Sequence, residues 1–227
     1  TYLIFLFKPY YFVTFDSEPD YLANALHIIK WGIPWGGHHP GTVMQYVYSG
    51  ILRTTIFLDL DLRTTIIFLR IIYFLIFLVI IYLSSRFTIN YNKKFFNYII
   101  SLSLIFPLIN FHFSHFGVEL ILFALCVFLW TLFYRQIYFA KSSNNFLLIS
   151  FLLGLTVSVK FSSIILVPIY FLIILFFIDE NLKNKIYLIL KSSFLSFITF
   201  IIFTIPSIRY YPKLFNIVIN KKISSFL

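Results

Sequence analysis

The chain has 227 residues, of which 60% are hydrophobic and only 11% charged, with a formal net charge of +10 and a mean hydropathy of +0.93. A soluble globular domain carries about 25% charged residues, so this composition excludes a soluble globular domain. The positive charge does not indicate a nucleic-acid partner, because Lys and Arg lie mainly at the ends of apolar runs, where membrane topology explains them. The single cysteine, Cys126, excludes a disulfide framework.

Apolar runs of about 15–20 residues, separated by short polar patches, are typical of membrane-spanning helices. They lack the period of two that strands show, so we predict an all-α, polytopic integral membrane protein forming a single domain over 1–227. Because the first run is short and interrupted by Lys8 and Pro9, we expect a piece truncated at both ends. About seven spans are predicted, at 1–15, 64–85, 95–111, 117–134, 145–159, 161–178 and 187–206. The two spans on either side of Lys160 are predicted as a hairpin or as one long tilted helix.

Lys and Arg also predict the orientation of these spans. The loops 86–94, 135–144 and 179–186 are basic, so the positive-inside rule assigns them to the cytoplasm. The long loop 16–62 then lies on the non-cytoplasmic side together with Lys160. All five histidines and six of the eight acidic residues fall at this same face: His27, His38, His39, His112, His115, Asp16, Glu18, Asp20, Asp59, Asp61 and Glu119.

The long loop is predicted to hold two interfacial helices. The first, at 18–31, has Asp16 or Ser17 as its cap, ends at Gly32, and separates two faces: apolar Tyr21, Leu22, Ala25, Leu26 and Ile29 against polar Asp20, Asn24 and His27. The second follows Thr42 as a cap, at 42–53, with an apolar face of Val43, Tyr46, Val47, Ile51 and Leu52. Four of the seven glycines lie within 32–41, which predicts a tight, specially shaped segment between these helices.

Three carboxylates, Asp16, Glu18 and Asp20, lie within five residues at the predicted lipid–water boundary. They could supply a general base or hold a divalent cation through oxygen ligands. They could equally be an acidic helix start favoured by the helix dipole. The neighbouring pair His38 and His39 is more typical of a shaped pocket loop than of a metal site, because adjacent side chains diverge.

Two further charged residues lie at the ends of apolar runs. Glu119 begins a predicted span, and Lys160 interrupts a long apolar stretch. A charge in such a place needs a partner or an exit to water, and Lys160 could hold a phosphate. The alternative for each residue is simple snorkelling to the interface. Arg70 is similar and is interpreted as structural.

These motifs together resemble the GT-C superfamily of membrane glycosyltransferases, and within it the group of protein-mannosyltransferases and aminoarabinose transferases. The acidic segment with Tyr21, Ala25 and Gly32 is similar to the family's first acidic motif and its interfacial helix. His39-Pro40 is similar to the proline-containing segment that follows, Ser114 to Glu119 to the second acidic motif, and Gly154 to Lys160 to the family's Gly-Leu-Ala stretch ending in Lys. The chain departs from the pattern by Ser17-Glu18 in place of Asp-Glu, and by Glu119 in place of the usual Asp.

The resemblance implies a transmembrane module of this type that is incomplete. It implies inverting transfer of a sugar from a polyprenyl-phosphate donor to a hydroxyl of a lipid, glycan or protein, at the outer face of a bacterial inner membrane. Asp16, then Glu18, would be the base. Asp20, Tyr21, His38, His39, Glu119 and Lys160 would bind substrate, and Arg53 or Arg63 could assist Lys160 at the leaving phosphate. No cofactor is assigned, and a divalent cation held by the acidic segment stays an open alternative.

Two other classes of protein remain open. A secondary transporter would use broken helices and polar groups near the bilayer midplane. A membrane assembly subunit would not need clustered carboxylates. The polar residues cluster at the non-cytoplasmic ends of the predicted spans, and this favours the enzyme over the transporter and the assembly subunit.

Overall fold

The computed structural model describes residues 18–34, 42–89, 118–140 and 145–205. These ranges are helical and contain no strand, in agreement with the predicted fold class. The predicted spans 1–15 and 95–111 lie outside them. Seven helices of the described ranges are used below: α1 (Glu18–Trp31), α2 (Thr42–Phe57), α3 (Leu62–Ile89), α4 (Val118–Arg135), α5 (Phe146–Val159), α6 (Leu166–Phe177) and α7 (Leu182–Thr204). A π-helical turn, Gln136–Ala140, extends α4, and a 3-10 turn, Phe161–Ile165, precedes α6.

Three stretches of the described residues are long and apolar enough to cross a membrane: Leu62–Phe87, Val118–Tyr138 and Leu182–Thr204. This indicates a membrane protein. The helices on either side of Lys160, at Phe146–Val159 and Phe161–Phe177, are apolar but shorter. The larger number of spans predicted from the sequence stays a prediction.

Polar residues at the helix ends explain where several helices begin and stop. The Asp61 carboxylate accepts a hydrogen bond from the Thr64 backbone N–H at 2.6 Å, so α3 begins at Leu62. Asn181 caps α7 in the same way through Asn184 N–H at 2.8 Å. The predicted start at residue 187 was therefore late. Gly32, with φ of 73°, ends α1 as predicted, since its N–H reaches the Ile28 carbonyl at 2.8 Å.

Side-chain contacts define the direction of each long helix. Tyr73 meets Ile121, and Ser84 meets Thr131, so α3 and α4 run parallel. Ser150 meets Ser192, and Gly154 faces Ser196 and Thr199, so α5 and α7 also run parallel. Glu119 at the start of α4 meets Lys160 after the end of α5, so these two packed helices are antiparallel.

Helix α6 runs antiparallel to α5 and packs on α7. The ring of Tyr170 stacks on Phe133, near the end of α4, with centroids 5.3 Å apart. Because Lys160 lies beside the start of α4, the chain must reverse direction after Lys160. Residues 145–178 therefore form a hairpin, which decides between the two interpretations that the sequence left open.

The bundle has two chemically different ends. We call the end that holds Glu119 and Lys160 the Glu119 end. The opposite end, called the basic end, holds Arg86 and Arg135 in the last turns of α3 and α4, and lysines in the first turn of α7. Helices α1 and α2 pack on each other, and α2 contacts α3, α5 and α7.

The faces that α1 and α2 bury inside the bundle differ from the apolar faces predicted from the sequence, and their place along the bilayer surface stays a prediction. Leu26 of α1 is largely exposed, whereas Ile28 is buried. In α2 the buried face is rotated from the predicted one: Met44, Gln45, Tyr48, Ser49, Leu52 and Thr55 are buried, whereas Val43, Tyr46, Val47 and Ile51 are only partly covered. Small hydroxyl side chains can be buried here because they bond to their own helix, as Ser49 does to the Tyr46 carbonyl and Thr55 to that of Leu52.

Candidate functional site

The centre of the candidate site is an ion pair between two helix ends. The Lys160 Nζ lies 3.3 Å from the Glu119 Oε1. The two residues are 41 positions apart in the chain and meet because α4 begins where α5 ends. Their side chains keep 41% and 36% of their accessible surface, so both charges also face solvent. A second anionic group could therefore reach the Lys160 ammonium from solvent, because the ammonium is not enclosed by the protein.

A break in the helix presents the Lys160 side chain. The Lys160 backbone is extended, with φ of −150° and ψ of 118°, between α5 and the 3-10 turn. Its carbonyl accepts hydrogen bonds from the backbone N–H and the hydroxyl of Ser163, at 3.0 and 2.6 Å. The single proton of this hydroxyl is shared with the Thr156 carbonyl, which lies 2.9 Å away and also accepts the Lys160 backbone N–H at 3.1 Å. Ser163 thus ties the 3-10 turn to the end of α5.

Three buried tyrosines connect α1, α2 and α3 in this region. The ring centroids of Tyr21 and Tyr48 lie 5.9 Å apart, and those of Tyr48 and Tyr73 lie 6.1 Å apart. The Tyr73 hydroxyl accepts a hydrogen bond from the Ile121 backbone N–H, in the first turn of α4, at 3.4 Å. The three rings join α1 to the helix start that carries Glu119.

The electrostatics of Tyr21 place the acidic residues of α1 and α4 in one neighbourhood. Burial, followed by the negative charges of Glu119 and Asp20, raises the pKa of the Tyr21 phenol well above its ordinary value. Tyr21 therefore stays a neutral hydroxyl at any physiological pH. It can donate a hydrogen bond or accept one, but it cannot serve as a base.

The register of α3 against α4 gives the level of the ion pair along α3. Between the Tyr73–Ile121 and Ser84–Thr131 contacts, α3 advances eleven residues and α4 ten, so the two helices keep step. Glu119 is then level with about residue 71 of α3. Helix α3 begins at Leu62, about nine residues or ~14 Å beyond that level. The first turns of α3 therefore extend beyond the level of the pair, and α2 contacts both α3 and α5.

The sequence alone did not show which part of the bundle surrounds Arg70. The same register puts it level with the start of α4, one turn from Tyr73 on the buried face of α3, and its side chain is buried. A buried charge inside an apolar span is a functional candidate by default. That signal was present in the sequence, but only the register of α3 against α4 brings Arg70 to the level of Glu119.

The structure brings together part of the predicted site. Glu119 and Lys160 are in contact, and Tyr21 and Asp20 lie in the same electrostatic neighbourhood. Glu18 begins α1, but its side chain is outside the described part of the chain, as are Asp16, His38 and His39. Arg53 and Arg63 are exposed on α2 and α3.

The predicted divalent cation cannot be placed on the acidic segment. Within 18–34, 42–89, 118–140 and 145–205, no three His, Cys, Asp or Glu residues are grouped closely enough to hold a metal ion. Two of the three carboxylates proposed as ligands, Asp16 and Glu18, have no described side chain. A cation at this site stays a prediction.

Comparisons of the chain with protein-family models, with curated proteins and with solved structures find no match.

Proposed function

We propose that the chain is the transmembrane module of a membrane glycosyltransferase that moves a sugar from a polyprenyl-phosphate donor to an acceptor hydroxyl. The observation that carries this proposal is the partly exposed Lys160–Glu119 pair at one end of the bundle, in the electrostatic neighbourhood of Tyr21 and Asp20 of α1. A cation within reach of the lipid, next to carboxylates, is the combination that transfer from a lipid phosphate requires.

The reaction assigns a role to each part of the site. The acceptor oxygen attacks the anomeric carbon, the bond from that carbon to the phosphate oxygen breaks, and the configuration inverts. Asp16 or Glu18 takes the hydroxyl proton. Lys160 holds the leaving phosphate by charge-assisted hydrogen bonds, while Glu119 positions the Lys160 ammonium until the donor arrives. Asp20, His38 and His39 contact the sugar or the acceptor, and the buried Tyr21 positions α1 beside Glu119.

The charge distribution supports a site on the non-cytoplasmic side. Arg86, Arg135, Lys183 and Lys185 lie at the basic end, which the positive-inside rule assigns to the cytoplasm. The Glu119 end then faces the exterior or the periplasm. We propose a bacterial inner membrane as the location, with membrane lipids as surroundings and a lipid, glycan or protein as acceptor.

One observation favours a secondary transporter as the second candidate. The Lys160–Glu119 pair is partly open to solvent between packed helices, and ionisable residues in such places also mark the pathways of transported solutes. A transporter would need Lys160 for solute flux, whereas a transferase would need it for movement of the sugar label.

The test reconstitutes the chain, within its full-length gene product, in liposomes with radiolabelled polyprenyl-phosphate sugars and an envelope acceptor fraction. Label should move to the acceptor, and Lys160→Met should lower the rate about 10²-fold or more, because the leaving charge loses its partner. Lys30→Met, at an exposed position on α1, is the matched control and should leave the rate unchanged.

Carboxylate variants complete the design. Asp16→Asn or Glu18→Gln should abolish transfer, and the more severe of the two identifies the base. Transfer that persists in both variants together would refute the assigned mechanism. Flux of a solute without any transfer of label would support the transporter.

A further inference from the structure

A second feature lies in the apolar body of the bundle, away from the Glu119–Lys160 pair. The hairpin of α5 and α6 and the neighbouring α7 enclose a groove of about 640 Å³. Its floor is formed by Gly154 and Val157 of α5, and its walls include Val167 and Phe171 of α6 and Phe194 of α7. We call it the α6–α7 groove. Its volume is in the range of pockets that bind small molecules.

The lining of the α6–α7 groove accepts hydrocarbon and little else. Its two serines are already engaged: the Ser193 hydroxyl donates to the Ile189 carbonyl, and the Ser196 hydroxyl donates to the Ser150 carbonyl, both at 2.8 Å. An occupant would find no polar group there that needs a partner. Phe194 and Phe197 are 65% and 61% exposed at its opening, on a helix of membrane-spanning length.

Contacts close the groove at its two ends, so it opens sideways. Near the Glu119 end, the rings of Phe161 and Phe200 meet with centroids 6.3 Å apart. Toward the basic end, the Lys185 Nζ donates to the Leu175 carbonyl at 2.9 Å and ties α7 to the last turn of α6. A chain that enters the groove must therefore come laterally, from the bilayer. The Phe161–Phe200 contact separates this opening from Lys160.

The side chains on the outer face of α7 indicate which kind of molecule the α6–α7 groove binds. At 100° per residue, five side chains fall within an arc of about 80°: Lys183, Tyr187, Leu190, Phe194 and Phe197. Lys183 lies about 10 Å and Tyr187 about 5 Å from Leu190, the first groove residue of α7, toward the basic end. Lys191 lies at the side of this arc, with its Nζ 5.8 Å from the centre of the Tyr187 ring and 5.5 Å from that of Phe146 on α5. Cations and a tyrosine above an apolar surface match the headgroup and chain of an anionic lipid.

We propose that the α6–α7 groove binds one acyl chain of an anionic bilayer phospholipid whose phosphate is held by Lys183 and Lys191 beside Tyr187. Charge complementarity decides the headgroup, because residues 179–191 carry three lysines against two acids. The site is separate from the Glu119–Lys160 pair and does not depend on glycosyl transfer.

The first test is native mass spectrometry of the full chain in detergent, with phosphatidylglycerol and phosphatidylcholine of identical acyl chains. The wild type should retain the anionic lipid, with about a fivefold preference for each lysine. Lys183→Gln combined with Lys191→Gln should abolish the preference, while Lys30→Gln should keep it. Equal retention of both lipids by the wild type would overturn the proposal, as would an unchanged preference in the double variant.

A groove-filling pair tests the acyl chain. Val167→Phe should lower retention of both lipids, because the new ring occupies the space of the chain. Leu172→Phe, on the exposed side of the same helix and outside the groove, should leave retention unchanged. If polyprenyl phosphate displaced the phospholipid equally well from the wild type and from the lysine double variant, the occupant would be a prenyl tail and the proposal would be wrong.

A third measurement needs no variant. Phosphatidylglycerol with a photoreactive group on its acyl chain should label Phe171 and Phe194 in preference to Leu75 and Val79, which are exposed on α3. Uniform labelling of all these positions would show a general lipid annulus and would contradict a bound chain.

Discussion

At the residue scale, the candidate site depends on how each charge is kept near water. Lys160 and Glu119 are paired and yet remain more than a third exposed, so most of their solvation survives. Tyr21 differs from these two residues because its side chain is buried, and burial disfavours ionisation of its hydroxyl. The site thus offers two charges that a substrate can approach and one hydroxyl with a set position.

The exposure of the ion pair predicts a small effect on stability. In a double-mutant cycle with Glu119→Gln and Lys160→Gln, we expect a coupling energy below about 1 kcal/mol, because solvent screens the pair. Thermal and denaturant unfolding of the four proteins in detergent would measure it. A coupling of several kcal/mol would mean that the pair is structural, and the proposed role for Lys160 would then lose its main support.

Asp61 predicts a dependence of stability on pH. Hydrogen bonds from Thr64, and then the charge of Arg63, hold the pKa of this carboxyl below its ordinary value of 3.8. The charged form is thus favoured by folding, so its stabilisation is present above about pH 3.8 and is lost as the pH falls through the folded-state value. Asp61→Ala should lower the Tm at pH 7, and its difference from wild type should shrink in acid.

Asp61→Asn is the control for that experiment. It keeps an oxygen that can accept the Thr64 N–H bond but has no proton to gain. Its Tm should remain near that of wild type at pH 7 and should lack the acid-dependent loss. If the Asn variant followed the wild-type pH curve, the dependence would come from another group.

At the element scale, α5 and α7 are held together by close approach and by short hydroxyl side chains. Ser150 and Ser192 share a hydrogen bond of 2.7 Å, and Ser196 donates to the Ser150 carbonyl. A Cβ on Gly154 would clash with the Ser196 carbonyl and would come within 2.7 Å of Thr199 Cβ. Small residues at this seam let two backbones approach, which is how helices associate in lipid, where the hydrophobic effect contributes little between them.

Glycine substitutions test this seam. Gly154→Ala should destabilise the protein by about 1–3 kcal/mol, because α7 must move away from α5. Gly50→Ala is the matched control: it lies within α2 with nothing near its missing Cβ, so it should be neutral or stabilising by up to about 1 kcal/mol. Thermal unfolding in detergent would compare them. Equal stability of the two variants would argue against close packing of α5 on α7.

At the scale of the whole molecule, the direction of each helix decides which residues can meet. The hairpin at Lys160 returns α6 toward the basic end and leaves Lys160 beside Glu119. A continuous helix over 145–178 would place Lys160 in the middle of a span and separate it from the acidic residues. The topology therefore creates the candidate site.

Cysteine labelling tests this topology. In a Cys126→Ser background, Asp59→Cys and Ser162→Cys should react with a membrane-impermeant maleimide from the same side of intact cells. Lys183→Cys should react only after permeabilisation, because it lies at the basic end. Labelling of Ser162→Cys from the same side as Lys183→Cys would contradict the hairpin, and exchanged sides for all three would reverse the proposed orientation.

The sequence alone was enough for the features that local chemistry decides. Apolar runs, Gly32 and the charged residues at helix ends predicted the all-α class, the two helices of the long loop and most helix positions, because hydrogen bonding and hydropathy act over a few residues. The start of α7 was placed late because the capping role of Asn181 was not recognised.

Features that depend on distant residues needed the tertiary structure. The sequence contained Glu119 and Lys160 but not their contact, which depends on the antiparallel packing of α4 and α5. The sequence showed the apolar residues of α2, yet the face that α2 buries is rotated from the apolar face predicted from the sequence. A bundle of several helices covers more than one stripe of each helix. Serines and threonines that bond to their own helix are also buried at little cost. The place of Arg70 and the lateral opening of the α6–α7 groove were likewise decided only when the helices packed together, since both depend on which helices become neighbours.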